Sequence, residues 1–236
     1  MRLDKLLADA GFGSRKDVKA MIRQGRVQVD GETETDAGRN VTPEQVTADG
    51  EPVSYSRFRC LMLHKPAGVL TASRDRHAPT VMDLIPESFA HYKLAPVGRL
   101  DKDTTGLLLI TDDGELAHRL LSPARQVEKV YYALCDRPFE PQDVGAFASG
   151  LDLGDFTALP ARLELLPEDS CLGRITVTEG KFHQVKRMCE ACGKTVVQLH
   201  RERLGPLEVG DLPEGEWRLL TDEEMTALRE AAGQTE

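Results

Sequence analysis

The sequence predicts an α+β chain in two parts. A small N-terminal unit covers residues 1–57. A larger domain covers 58–236 and is built on a mixed, mainly antiparallel β-sheet with flanking helices. Three observations predict this. Candidate strands outnumber candidate helices and do not alternate regularly with them, which disfavours a doubly wound parallel sheet. The texture changes near Cys60, where a polar stretch rich in Thr, Glu and Gly gives way to apolar runs. The 236 residues are 40% hydrophobic and 29% charged, enough for a sizeable core in one or two domains.

Leu3, Leu6, Leu7 and Ala10 recur at helical spacing, and Gly11 and Gly13 end that helix. Ser14 is a good N-cap, with Asp17 in the first turn of a second helix whose apolar face is Val18, Met21 and Ile22. Arg26–Asp30 alternates as a strand and Asp30-Gly31 turns it back. Residues 32–57 read as short strands with a second turn at Asp49-Gly50, then a linker near Ser54–Arg57.

Beyond it, Leu61–Leu63 and Leu107–Ile110 read as strands, with a tight turn at His64-Lys65-Pro66-Ala67-Gly68. Asp113-Gly114 turns into a helix over Glu115–Leu121. Glu128–Cys135, Ala158–Leu166 and Arg174–Thr178 are strand candidates, and Phe182–Cys192 a helix closed by Gly193. Thr195–Leu199 and Trp217–Leu220 are strands, and Thr221 with Glu224 forms a capping box for a last helix.

The net charge of −9 argues at first against nucleic acid, but its distribution is uneven. Residues 208–236 hold nine Asp/Glu against two Lys/Arg. Residues 1–31 hold seven Lys/Arg against four Asp, and residues 174–203 hold seven Lys/Arg and two His against three Glu. Two basic windows on an acidic chain form either an RNA or DNA footprint or a pair of solvated faces; charge alone weighs them equally. The acidic tail is expected to face away from nucleic acid. The start MRLDKLLADAG lacks an apolar signal region, and five cysteines read as reduced thiols, so a cytoplasmic protein is expected.

Three clusters could carry chemistry. In Gly98-Arg99-Leu100-Asp101-Lys102-Asp103-Thr104-Thr105-Gly106, two carboxylates lie among cations just before an apolar strand. The pattern fits an Asx-rich turn, one catalytic carboxylate beside cations, or a magnesium-dependent phosphatase loop. The phosphatase loop should follow its strand rather than precede it. In the second cluster, helical spacing puts His183, Lys186 and Arg187 on one face, able to hold phosphate or pair with a carboxylate. Third, Cys189 and Cys192 have metal-like spacing but sit inside a helical pattern, so a core role is expected and no metal. In the strand behind Lys129, one of Tyr131 and Tyr132 points inward.

Together these segments resemble the motifs of RNA pseudouridine synthases, in order: His64-Lys65-Pro66-Ala67-Gly68, Gly98-Arg99-Leu100-Asp101, Lys129-Val130-Tyr131 and Glu179 through Met188. The first 31 residues resemble an S4 RNA-binding module. His183-Gln184-Val185-Lys186-Arg187-Met188 and His200 through Gly205 look most like the RsuA family acting on small-subunit (16S) rRNA. The resemblance implies Asp101 as the essential residue, Tyr131 as the tyrosine that packs on the target uracil, and Lys186 as the basic partner of Asp101. Many relatives have Arg at that position. It implies RNA contacts from Arg2, Arg15, Lys16, Lys19, Arg23, Arg26, Lys65, Arg99, His183, Gln184 and Arg187. It also implies uridine-to-pseudouridine isomerisation with base flipping, no cofactor, a monomer, and 16S rRNA in a partly assembled small subunit as partner. The alternatives are a 23S rRNA enzyme of the same fold and a non-catalytic S4-containing assembly factor.

Overall fold

The computed structural model describes residues 1–53, 55, 58–90 and 92–234. Most of the expected linker, Ser54, Ser56 and Arg57, lies outside the described residues. The chain divides into two units, Met1–Phe58 and Arg59–Glu236.

In the first unit, α1 (Leu3–Asp9) and α2 (Arg15–Arg23) precede β1 (Val27–Val29), β2 (Glu32–Thr33), β3 (Val46–Ala48) and β4 (Glu51–Pro52). Ser14 and Asp17 form a reciprocal capping box, so the start of α2 is written in its own sequence. The strands order β2-β1-β3-β4, all antiparallel. Leu3, Leu6, Leu7, Val18 and Ile22 pack on Val27, Val29 and Val46 in a core of their own.

The second unit contains β5 (Cys60–Lys65), β6 (Ala95–Pro96), β7 (Thr105–Thr111), α3 (Gly114–Leu121), β8 (Lys129–Cys135), α4 (Pro141–Ser149) and β9 (Arg162–Leu165). There follow β10 (Leu172–Val177), α5 (Gln184–Ala191), β11 (Val196–Leu204), β12 (Leu207–Glu208), β13 (Trp217–Leu219) and α6 (Asp222–Ala231). The main path of the sheet runs β13-β5-β7-β11-β8-β10-β9, with β6 beside β7 and β12 beside β11. Among the described residues only β7 and β11 pair parallel.

Both faces of the sheet are covered. Leu61, Leu63, Leu108, Ile110 and Tyr131 share one core with Val185, Met188 and Cys189 of α5 and Phe147 of α4. Met62, Leu107 and Leu109 point the other way, onto Leu116 of α3 and Leu228 of α6. The C-terminal helix α6 is thus packed on the face away from α5, while Trp217 of β13 packs on the α5 side. No helix among the described residues is long and apolar enough to cross a membrane.

Three expectations change. The helix α4 was not anticipated, although Pro141 at its start and the Glu140–Asp143 capping pair are start signals. The strand expected over Ala158–Leu166 is confined to β9, because Pro160 has no N–H to give a ladder. The helix expected from Phe182 starts at Gln184, with His183 as a left-handed N-cap at φ +49°. Cys189 is fully buried and Cys192 packs against the same core, as their helical spacing suggests.

Candidate active site

The Gly98–Thr104 loop joins β6 to β7 and is held mainly through its backbone. Lys65, at the end of β5, is fully buried; its Nζ donates to the carbonyls of Pro66 (3.0 Å), Lys102 (3.3 Å) and Thr104 (2.9 Å). Gly68 N–H donates to the Lys102 carbonyl (2.7 Å), and Thr71 Oγ1 donates to the Leu100 carbonyl (2.8 Å). These contacts fix the backbone on both sides of Asp101.

The helix α5 supplies what faces Asp101. Lys186 Nζ lies 3.2 Å from one carboxylate oxygen, and His183 Nε2 lies 3.4 Å from the other. Lys186 also donates to Asp103 at 2.7 Å. Burial opposes its charge, but bonds to Asp103 and Asp101 outweigh that and raise its pKa. The same Lys186 bond holds Asp103 below the usual carboxylate range.

Asp101 opens onto a surface cleft between the Gly98–Thr104 loop and the start of α5. Arg99, Tyr131, Lys129, Leu199 and Arg201 help line it. Tyr131 is paired in register with Ile175 on one side and Arg201 on the other, so these side chains share its face. Tyr132 points the opposite way, its hydroxyl 3.3 Å from Glu202. Two buried polar atoms in the lining, Thr104 Oγ1 and Arg201 Nη2, have no hydrogen-bond partner among the described residues.

The profile described as RNA pseudouridylate synthase matches residues 59–191, and that described as S4 domain matches residues 1–47. The chain belongs to the RNA pseudouridylate synthase family. It is 44% identical to the uncharacterized RNA pseudouridine synthase YtzG of Bacillus subtilis, over 98% of this chain and 99% of that one. It is 41% identical to ribosomal small subunit pseudouridine synthase A of Yersinia pestis, over 97% of this chain and 98% of the relative. A crystal structure of a pseudouridylate synthase superposes with TM-score 0.68 at 36% identity, covering 97% of this chain and 99% of that chain. The chain is thus an S4-bearing, RsuA-like pseudouridine synthase, an isomerase.

Within this pseudouridine synthase, the cleft brings together Asp101, Tyr131, Arg99 and His183, with Lys186 paired to Asp101. Two expected RNA contacts, Lys65 and Gln184, are corrected, whereas Arg187 stays partly exposed. Lys65 is wholly inside, its ammonium committed to the loop carbonyls. Gln184 is buried, its Nε2 donating to Glu179 (2.7 Å) and its Oε1 accepting from Lys181 N–H (3.0 Å). Arg187 folds onto Asp155 and the Leu153 carbonyl. In the first unit, Arg15, Lys16 and Arg23 of α2 are exposed and make no ion pair among the described residues. Lys19 lies 3.9 Å from Asp4, Arg2 pairs with Asp4 through two bonds, and Arg26 pairs with Asp49 through two.

Lys129 and Arg201 fall within motif segments of the sequence but are given no part in the site there. The available signal was the period of two: Lys129 shares a strand face with Tyr131, and Arg201 with Leu199. Burial, with the nearby Arg201 charge, pushes the Lys129 ammonium down to about 8. Its ordinary value is 10.5, so between about pH 8 and 10.5 the unfolded chain binds more protons through Lys129 than the folded one. Its contribution to stability therefore rises with pH across that window. Urea unfolding from pH 7.5 to 10 is expected to show a shallower rise in Lys129→Met than in wild type.

Lys186→Met leaves Asp101 and Asp103 without their shared cation. It is expected to lower single-turnover activity by about 10²-fold, the scale of losing one charge-stabilising donor. Lys186→Arg keeps the charge but changes a compact ammonium into a planar fork, and is expected to retain an intermediate rate.

Proposed function

We propose that this pseudouridine synthase isomerises one uridine of 16S rRNA in a partly assembled small subunit, in the cytoplasm, using Asp101. The observation that carries the reading is the Asp101 carboxylate at the cleft, 3.2 Å from the Lys186 ammonium, with Tyr131 lining the same cleft. The small-subunit assignment is supported by the 41–42% identical relatives of Yersinia pestis and Escherichia coli, both named ribosomal small subunit pseudouridine synthase A.

The chemistry breaks N1–C1′, turns the uracil and joins C5 to C1′. The C5 proton leaves and N1, freed from the sugar, takes one up, so the product is an isomer. A carboxylate suits this reaction either as a nucleophile at C1′ or as a base for a sugar proton. A uridine must leave its stack to reach Asp101, and Tyr131 offers the flipped base an aromatic wall. The exposed cations of α2 and Arg99 attract the RNA backbone and carry little sequence information. A protein whose second domain only binds RNA has no need of this carboxylate–lysine arrangement.

The test is carbodiimide-dependent primer extension across 16S and 23S rRNA, each free, with 16S rRNA also in partly assembled small subunits. A new stop in 16S rRNA is expected. A stop only in 23S rRNA overturns the substrate assignment. No stop in any sample overturns catalysis on rRNA.

A further inference from the structure

Phe182 is 66% exposed, the most exposed of the large apolar side chains among the described residues. Its two chain neighbours, Lys181 and His183, line the cleft described above. Its ring stacks on His183 with centroids 3.8 Å apart and planes within 17°. In a strand or a helix, neighbouring side chains diverge and do not stack. The left-handed backbone of His183 at φ +49° accompanies their approach. Conformations of this kind in non-glycine residues are uncommon and cluster at functional sites.

The edge of the His183 ring reaches Asp101 at 3.4 Å. The Phe182 ring therefore lies one stacked ring away from the residue that touches the Asp101 carboxylate. One face of Phe182 is covered by the imidazole, and its exposure belongs to the other face and the edges. The nearby cations are already matched: Lys181 lies 3.6 Å from Glu179, Lys186 pairs with two aspartates, and Arg187 with Asp155. Lys181 and Arg187 also lie over the ring of Phe156. What this segment presents outward is an aromatic surface rather than a free charge.

Resting on the function proposed above, we propose that Phe182 is a substrate-binding residue whose open face stacks on the nucleobase adjacent to the flipped uridine. Flipping a uridine exposes the face of its neighbour, which loses its stacking partner. A phenyl ring stacked on the cleft-lining His183 replaces that partner. Every base has such a face, so the contact adds affinity and register rather than sequence choice. His183 braces the ring from behind.

The experiment uses the full chain and the RNA or particle in which the primer-extension assay locates the modified uridine. Phe182→Ala is expected to raise KM about 10- to 100-fold, with kcat within about threefold of wild type. Phe182→Trp is expected to restore binding. RNA carrying an abasic ribose, ligated in immediately 5′ or 3′ of the target, supplies the second arm. On one of these two RNAs the wild type should lose affinity and Phe182→Ala should lose no more. Unchanged KM for Phe182→Ala overturns the proposal. So does a Phe182→Ala penalty that persists undiminished on both abasic RNAs, since it then reflects support of His183 rather than stacking. Wild-type protein that modifies no uridine instead removes the functional reading on which this one rests.

Discussion

Asp101→Asn is expected to lower pseudouridine formation by roughly 10³-fold or more while leaving the protein folded. The amide keeps the shape of the carboxylate and loses its capacity to attack carbon or accept a proton. The fold should survive because nothing charged is left stranded. Lys186 keeps its 2.7 Å bond to Asp103, and the loop is held by Lys65 and Thr71 through backbone carbonyls. Melting temperature and RNA affinity should stay near wild type as the rate collapses. Asp103→Asn is the matched control. Asp103 is 74% exposed at its side chain, and its expected loss is small. Equal loss in both variants would favour a paired-carboxylate magnesium mechanism over a single catalytic aspartate. Single-turnover assays with and without added magnesium chelator distinguish the two.

Gly106→Ala is expected to destabilise the protein by about 3–5 kcal/mol, combining backbone strain with overpacking. Gly106 has φ +109°, and a Cβ there would lie 2.2 Å from the Arg201 carbonyl oxygen and 2.6 Å from its nitrogen. Both are backbone atoms, so no side chain can swing away. The contact lies where β7 and β11 pair parallel, His200 with Thr105 and Arg201 with Gly106. Separating these strands would move Arg201, and with it the wall that Tyr131 shares. The loop bearing Asp101 leads directly into this strand. Urea unfolding should show the lower stability, and activity per folded molecule should fall as well. A variant with wild-type stability would contradict the close approach.

The core of the site was legible because its residues carry chemistry in a spaced pattern. Asp101 among cations before an apolar strand, Tyr131 on an alternating strand and Lys186 beside His183 on a basic segment could each be read from the chain. Their meeting could not, since Lys186 reaches Asp101 across 85 positions of sequence. Lys65 and Gln184 were misread for a physical reason. A polar side chain in a motif looks the same whether it faces solvent or is turned inward to satisfy carbonyls, and only packing decides. The start of α5 was misplaced by two residues because the left-handed turn at His183 depends on tertiary contacts, whereas local apolar spacing continues through it. The two ends of α2, the end of α1 and the start of α6 came through well because caps, stop glycines and apolar stripes are local.

The ammonium of Lys65 grips Lys102 by its main-chain oxygen and makes no demand on its side chain. Lys102 itself is exposed. The loop therefore separates two tasks that active-site loops often combine. Its path is set from below by one buried charge, while the outward chemistry at position 102 is free to vary without moving Asp101. A surface built this way can be retuned toward a different RNA contour one residue from the reacting carboxylate, with the reaction geometry left in place.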